Sequence, residues 1–336
     1  MTNAAANIGN RTILTRPPCP IKRRRAPLRF VDMFCGIGGF HAALSSFDME
    51  CVFACDIDEH ARQTYHSNFG MTPAQDITDI KASNIPDHDI LCAGFPCQPF
   101  SIIGNREGFN DIRGTLFFDI ARILRAKRPP AFILENVRQL ATHGQGKTIA
   151  KIITTLKKVG YSVDYKILDA RNFGLPQKRE RVLIVGMLNG LSGFEWPGKK
   201  IPMKPLSKIL ETDKKQLAGF YVSDHIKEKR KAQHRAEISP AIWHENKGGN
   251  IASHPFSCAL RAGASYNYLL VDGKRRLTPR EMLRLQGFSD KFKIVCTYQQ
   301  IRKQAGNAVP VPLIKAVAEN LKHALTTKNK NKQTYS

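Results

Sequence analysis

Apolar and polar residues follow two spacings in alternation along residues 28–189. Short continuous apolar runs are typical of strands buried on both faces, whereas apolar residues three and four positions apart are typical of amphipathic helices. Because the two patterns alternate, the segment is predicted to form βαβ units and a parallel sheet of the α/β class. Strands are predicted at residues 29–34, 51–55, 90–93, 132–134 and 181–186, and helices at residues 40–47, 59–69, 116–124 and 148–159.

The pattern changes after Asn189. The residues that follow carry short apolar pieces, scattered Gly and Pro, and many Lys and Arg, so they are predicted to form a second, smaller and basic domain. Beyond it, helices are predicted at residues 278–285, where Thr278 can cap the first turn, and from about residue 312 to 324. The predicted divisions are a disordered basic arm at 1–27, a first domain at 28–189, the smaller domain at 190–270, a hinge and helix at 271–324 that complete the first domain, and a tail at 325–336.

The charge of the chain indicates a polyanionic partner. The 336 residues include 52 Lys and Arg against 28 Asp and Glu, for a formal net charge of +24. Nucleic acid is the first candidate for such a partner. The eight cysteines lack the paired spacing of a zinc site or a disulfide framework, so we expect free thiols in a reducing compartment and no bound metal. No apolar run approaches the roughly 20 residues of a membrane span, and we expect a protein of the cytoplasm.

A glycine-rich turn is predicted between the first strand and the first helix. Gly36, Gly38 and Gly39 let a ligand approach the backbone there, and the following helix offers free N–H groups. Asp56 ends the second strand, 20 positions after Gly36, where an acid can accept hydrogen bonds from ribose hydroxyls. The turn therefore indicates a nucleoside cofactor, and these residues leave open whether it is a dinucleotide or S-adenosylmethionine.

A thiol and a carboxyl group are predicted at the ends of two strands. Cys97 lies in the segment Gly-Phe-Pro-Cys-Gln-Pro-Phe-Ser, and Glu135 follows a second apolar run. At such strand ends, a thiolate could attack an electron-poor ring and a carboxyl group could protonate it. Arg179 and Arg181 could stabilise the thiolate. Burial would raise the pKa of Glu135 and the arginines would lower it, and the sequence leaves that balance open.

Six segments, taken in order, resemble those of the DNA (cytosine-5-)methyltransferases, particularly the short bacterial enzymes of restriction–modification systems. The resemblance implies a Rossmann-like, S-adenosylmethionine-dependent methyltransferase sheet with a smaller target-recognition domain. It also implies methyl transfer to C5 of a cytosine flipped out of double-stranded DNA, with Cys97 adding to C6 and Glu135 acting at N3. The matching segments lie at residues 30–40, 89–101, 135–137, 177–182, 276–288 and 304–309.

The same resemblance assigns residues to the base pocket, the cofactor and DNA. Asn136 would shape the pocket, Gln98 would belong to the catalytic set, and Arg179 and Arg181 would hold the base and its neighbouring phosphate. The basic region 190–270 would be the target-recognition domain. The residues implied to contact DNA are Ile103, as an apolar wedge, and Arg261 and Ser265, on a loop entering the major groove. The implied cofactor residues are Phe34, Gly36, Ile37, Gly39, Asp56, Ile57, Asp76, Ile77, Pro96, Leu116, Asn307 and Ala308.

Within this cofactor set, the resemblance gives three side chains specific roles. Asp56 would bind the ribose, Ile57 would pack against adenine, and Asp76 would meet the adenine amine. On the same interpretation the protein would act as a monomer in a prokaryotic cytoplasm, associated with the nucleoid. A cognate restriction endonuclease would act separately.

Three other interpretations stay open on the sequence. The same chemistry could act on RNA, as in the tRNA-methylating branch of this family, although a basic domain of about 80 residues favours the reading of a duplex. The glycine turn and Asp56 could belong to a nicotinamide-dependent dehydrogenase, which would leave Cys97 and Glu135 unexplained. A catalytically silent DNA-binding relative is disfavoured by the intact Cys97, Glu135 and Arg179.

Overall fold

A six-stranded sheet forms the centre of the molecule. The computed structural model describes residues 26–95 and 116–333, with side chains as far as Thr327. Within these residues the strands are β1 Arg29–Met33, β2 Glu50–Cys55, β3 Ile90–Gly94, β4 Ala131–Val137, β5 Ser162–Asp169, β6 Gln177–Lys178, β7 Glu180–Met187, β8 Ile242–Glu245, β9 Ile251–His254, β10 Ser257–Cys258 and β11 Leu269–Val271. The large sheet has the order β2–β1–β3–β4–β7–β5. The chain goes from β1 outward to β2 and returns to β3 on the other side of β1, which creates a topological switch point.

Helices cover both faces of this sheet. Alternate residues of β1, β3, β4 and β7 enter two separate apolar cores, one shared with α1, α7, α8 and α9, and the other shared with α3 and α4. Burial on both faces explains the continuous apolar runs of the central strands. The helices are α1 Gly39–Leu44, α2 Glu59–Phe69, α3 Leu116–Lys127, α4 Lys147–Lys158, α5 Lys214–Leu217, α6 Asp224–Gln233, α7 Pro279–Gln286, α8 Tyr298–Asn307 and α9 Val311–Gln333.

The predicted elements of the first domain are confirmed with small shifts at their ends. The prediction of a parallel sheet is confirmed for β1, β2, β3 and β4 and is wrong for β7. Strand β7 runs antiparallel to both β4 and β5. Residues 170–179 return the chain from β5 to β7 without a crossover helix, and such a short return produces antiparallel neighbours. Strand β5 is not predicted from the sequence, because this edge strand is mostly exposed and lacks a continuous apolar run.

The basic region contains a small antiparallel sheet of order β11–β8–β9, together with α5 and α6. It is tied to the rest of the molecule because β10 pairs with β6 and because Ile242 and Leu260 share an apolar core with α9. Helix α9 extends past its predicted end at Ala324 to Gln333, so the predicted tail is helical over residues 325–333. None of the described helices is both long enough and apolar enough to cross a lipid bilayer.

Candidate active site

A cavity of about 810 Å³ opens at the carboxyl ends of β1, β2, β3 and β4. This is the edge of the sheet at which open α/β folds bind ligands, beside the switch point. The cavity wall brings together most of the described residues of the predicted cofactor and catalytic sets. They are Phe34, Gly36, Gly39, Asp56, Ile57, Asp76, Ile77, Leu116, Asn307 and Ala308 from the first set, and Glu135, Asn136, Arg179 and Arg181 from the second.

The glycine turn between β1 and α1 forms one end of the cavity. Gly36 has a left-handed backbone (φ 53°), and a Cβ atom there would meet nothing within 4 Å, so its backbone borders open space. Gly39 is required for packing instead, because a Cβ atom would lie 2.5 Å from Cγ2 of Val309. The side chain of Ile37 is 1% exposed and packs into the core beneath the turn, so only its backbone is placed to meet a cofactor, and its assignment to the cofactor set stays a prediction.

Asp56 is held at the end of β2 by two backbone amides. Its Oδ2 accepts a hydrogen bond from the N–H of Gly36 over 2.7 Å, and its Oδ1 accepts one from Asp58 over 2.8 Å. Burial raises the pKa of Asp56, and the two amide bonds oppose that rise. A carboxylate has more acceptor sites than these two bonds use, so Asp56 joins the turn to β2 and can still accept from a ligand.

Two further residues line this end of the cavity where the sequence predicts them. Asp76 caps a short 3₁₀ helix through a 2.9 Å hydrogen bond from the N–H of Thr78 to its Oδ1, and it also borders the cavity. The structural and the binding role of Asp76 are therefore compatible. Ile57 is 74% exposed at the cavity wall, which is unusual for an aliphatic side chain. Such a side chain can pack against the flat face of a base.

The opposite wall comes from α8 and from the turn before α9. Lys303 forms an ion pair with Asp58, with 2.6 Å between Nζ and Oδ2, and so joins α8 to the start of α2. Gln304 donates a 3.0 Å hydrogen bond to the carbonyl of His60. Both residues border the cavity, and neither is predicted from the sequence to have a role there. Gln304 opens the matching segment at 304–309, whereas Lys303 lies outside it, and only the fold brings Lys303 to Asp58, 245 positions away in the chain.

Glu135 and Asn136 occupy the end of β4, where the cavity meets β3. Oε1 of Glu135 is 2.6 Å from Nε of Arg181 on β7, and the two side chains are 9% and 11% exposed. Asn136 donates a 2.9 Å hydrogen bond to the carbonyl of Phe95 and accepts one from Val137 over 2.8 Å. The carboxylate is therefore oriented by an arginine, and the amide holds the backbone that leaves β3.

Arg179 is buried in the cavity wall, and its contact with base and phosphate stays a prediction. Its side chain is 1% exposed and donates to the carbonyls of Leu260, Gly306 and Ala308 over 3.0, 2.9 and 2.7 Å. Burial lowers the pKa of Arg179, and the nearby Arg181 acts in the same direction. The guanidinium is therefore part of the cavity wall and bridges two other segments of the chain, and it is almost fully shielded from bulk solvent.

Four predicted site residues lie outside the described residues: Pro96, Cys97, Gln98 and Ile103. The last described residue before them, Phe95, shares the cavity wall with Glu135. The two come together because Gly94 pairs with Glu135 between β3 and β4. Arg261 and Ser265 are exposed between β10 and β11 and do not border the cavity.

Comparison with known protein sequences gives a match along most of the chain. The sequence pattern of the family described as C-5 cytosine-specific DNA methylase matches residues 28–323. The Type II methyltransferase M.NgoBI of Neisseria gonorrhoeae is 53% identical over 287 residues, which cover 85% of this chain and 90% of the relative. The Type II methyltransferase M.HaeII of Haemophilus aegyptius is 51% identical over 296 residues, which cover 88% and 93%.

Solved structures share the fold at lower identity. The S. pombe Dnmt2 methyltransferase superposes with a TM-score of 0.68 at 23% identity, over 90% of this chain and 99% of its own. The Entamoeba histolytica methyltransferase EhMeth gives a TM-score of 0.69 at 18% identity, over 90% and 99%. These similarities concern the fold alone, and they confirm the predicted α/β methyltransferase class.

Proposed function

Because the chain belongs to the C-5 cytosine-specific DNA methylases, we propose that it transfers a methyl group from S-adenosylmethionine to C5 of a cytosine within a specific sequence of double-stranded DNA. The observation that carries this proposal is that Glu135 and Arg181 share one cavity with the glycine turn and Asp56. A carboxyl group that can protonate a nucleobase thus lies next to a site for a nucleoside cofactor. Direct transfer of a methyl group from the cofactor to the nucleobase requires this proximity. Membership of this family also removes the dehydrogenase interpretation.

The cavity has the size and the polar groups that S-adenosylmethionine requires. Its volume of about 810 Å³ lies within the usual range for small-molecule sites. Asp56 offers a carboxylate for the ribose hydroxyls, Ile57 an apolar surface for adenine, and Asp76 an acceptor for the adenine amine. When bound, S-adenosylmethionine supplies an electrophilic methyl group on a sulfonium centre. The backbone of Gly36 borders open space and has no side chain, so this ligand can approach it closely.

The protein's own residues would make the cytosine reactive. The Cys97 thiolate forms a bond to C6, and a proton from Glu135 at N3 neutralises the charge that moves into the ring. C5 then has the electron density to take the methyl group. Loss of the C5 proton to a base, departure of the thiolate and return of the N3 proton to Glu135 restore the ring. Arg181 orients the Glu135 carboxyl group, and Asn136 holds the carbonyl of Phe95, two residues before Cys97.

Residues 190–270 would form the target-recognition domain, and Arg261 and Ser265 are its candidate base-contacting side chains. The target cytosine must leave the stacked duplex to reach a cavity at the edge of the sheet. The net charge of +24 would attract the phosphates. Since M.NgoBI and M.HaeII are Type II methyltransferases, we expect this protein to be the modification enzyme of such a system, acting as a monomer near the nucleoid while a cognate endonuclease acts separately.

The test measures transfer of a tritiated methyl group from S-adenosylmethionine to DNA whose target has been located by bisulfite mapping in cells that express the protein. Cys97→Ser should lose methyl transfer and keep cofactor binding, whereas Cys296→Ser, a half-buried cysteine elsewhere, should remain active. DNA with 5-fluorocytosine at the target should form a covalent adduct, because fluorine cannot leave as a proton does. Methylation of RNA but not of duplex DNA, or turnover without any adduct, would contradict the proposal.

A further inference from the structure

The segment 261–267, here named the reading loop, is held by arginines that lie outside it. Nη2 of Arg302 on α8 donates to the carbonyls of Ala264 and Ser265 over 2.9 and 3.1 Å. At the far end of the loop, Nη2 of Arg230 on α6 donates to the carbonyl of Asn267 over 2.6 Å. Hydrogen bonds from a charged donor are among the stronger ones in proteins, so the backbone of the loop is fixed from two sides.

Arg302 makes contacts that are suited to positioning. Its side chain is 9% exposed, and its guanidinium carbon lies 3.9 Å from the centre of the Tyr266 ring. In the described part of the chain, its partners are the two carbonyls of the loop and the rings of Tyr266 and Tyr298. The planar guanidinium of Arg302 therefore bridges the carbonyls of Ala264 and Ser265 and also lies over the Tyr266 ring. The ammonium group of a lysine is not planar and cannot make this combination of contacts.

Helix α8 also borders the cofactor cavity, so the loop is positioned relative to that cavity. Lys303, Gln304 and Asn307 of this helix lie on the cavity wall. Gly306 lies directly against the loop, because a Cβ atom there would come within 2.5 Å of the backbone nitrogen of Ala262. A single rigid helix thus contacts the cavity with some residues and the reading loop with Arg302 and Gly306.

The side chains that the loop presents to solvent include Arg261 and Ser265. The guanidinium of Arg261 lies 4.8 Å from the centre of the Tyr268 ring, and its backbone N–H donates to the Tyr268 hydroxyl over 3.0 Å. An exposed guanidinium on a fixed backbone is suited to read the edge of a guanine, and such reading depends on geometry held to within a fraction of an ångström.

We propose that Arg302 is the positioning residue of the reading loop, and that it sets how strictly the protein discriminates its DNA target without touching the bases or the cofactor. The proposal rests on the proposed function, because discrimination is measured through methyl transfer. Arg302 acts through the backbone of Ala264 and Ser265, which keeps the outward side chains in one orientation. Without it the loop samples several orientations, and contacts to correct and incorrect base pairs become more similar in strength.

The experiment compares kcat/KM on a duplex that carries the mapped target with kcat/KM on duplexes that differ by one base pair. Arg302→Met should lower this discrimination ratio about tenfold and raise the KM for DNA, since the lost contacts are worth roughly one order of magnitude in binding. Arg302→Lys should recover only part of the ratio although it keeps the charge. The affinity for S-adenosylhomocysteine should stay within about twofold of wild type.

Arg280→Met is the matched control, because Arg280 also donates to two backbone carbonyls, those of Ser289 and Phe292, away from the reading loop. It should leave the discrimination ratio unchanged. If Arg302→Met does not fold, Arg302→Gln decides in its place, with the same expected loss. A folded variant with an unchanged ratio, full recovery by Lys, or a parallel loss of S-adenosylhomocysteine affinity would overturn the proposal. An inactive wild-type protein would instead refute the proposed function.

Discussion

Nε of Arg181 lies 2.6 Å from Oε1 of Glu135, and the contact depends on the antiparallel pairing of β4 with β7. Arg181 is directly opposite Val137, two residues beyond Glu135. Side chains two positions apart in a strand point to the same face, so this register places the arginine and the carboxylate side by side. A parallel neighbour would require a crossover connection, and the short return from β5 does not allow one.

Replacement of Glu135 by Gln should lower the rate of methyl transfer by at least about 100-fold, because a positioned acid typically contributes that much and Gln cannot donate a carboxyl proton. The rate is measured with tritiated S-adenosylmethionine under single-turnover conditions. Glu180→Gln is the control, since Glu180 is also paired with an arginine, Arg138, but on the exposed surface. Near-normal turnover by Glu135→Gln would exclude Glu135 as the proton donor.

Gly39→Ala should weaken the binding of S-adenosylhomocysteine and destabilise the protein by about 1–3 kcal/mol, because the new methyl group collides with Val309. The double variant Gly39→Ala, Val309→Ala removes the colliding atom and should recover part of both losses. Gly219→Ala, at a glycine with open space around its Cβ position, serves as the control. Calorimetric titration and thermal unfolding measure the two effects, and an absence of recovery in the double variant would contradict the steric explanation.

His41 should make the protein less stable as the pH falls. Its ring stacks on Phe69 with 4.0 Å between centres, and its Nδ1 is 2.7 Å from the Tyr65 hydroxyl. Burial lowers the pKa of His41 to about 4. The ordinary pKa is about 6.5, so between these values the unfolded chain binds a proton that the folded protein does not. The free energy of unfolding should therefore fall by about 3 kcal/mol from pH 7 to pH 4 through this residue.

Urea unfolding of wild type and His41→Gln at several pH values isolates this contribution. Burial raises the pKa of Asp32 well above its usual range, which favours the folded state at low pH and opposes the effect of His41 in wild type. The difference between wild type and variant cancels the contribution of Asp32. The exposed His66→Gln gives the control curve. Parallel pH curves for wild type and His41→Gln would refute the assignment.

Affinity for duplex DNA should decrease steeply with salt. A chain of net charge +24 that contacts six to ten phosphates should lose roughly 10³-fold or more in affinity between about 50 and 200 mM salt. Fluorescence anisotropy of a labelled duplex measures this dependence. The affinity for S-adenosylhomocysteine, measured over the same range, should change little because it depends on contacts within the cavity. If the affinity for DNA changed little with salt concentration, the net charge would not be what attracts the DNA phosphates.

Local patterns predicted much of the fold and of the cofactor site. Helix α2 begins and ends where the spacing of apolar residues places it, and the glycine turn and Asp56 lie at the strand ends that the sequence indicated. The start of α7 was readable from Thr278, which caps the helix, and from the proline that follows it. These features depend on residues close together in the chain, and short-range sterics and hydrogen bonding decide them.

The sequence by itself determined the α/β class, the order of the elements from β1 to α4, and the glycine turn, Asp56 and Asp76 at the cofactor end of the cavity. Tertiary structure alone decided the direction of β7, the burial of Arg179, and the contacts that Lys303 and Arg302 make with Asp58 and the reading loop. A strand has the same apolar pattern whether it runs parallel or antiparallel to its neighbour. The sequence also does not show whether an arginine side chain is exposed to solvent or donates to a buried carbonyl. Such choices are settled by packing between residues far apart in the chain, where local periodicity carries no information.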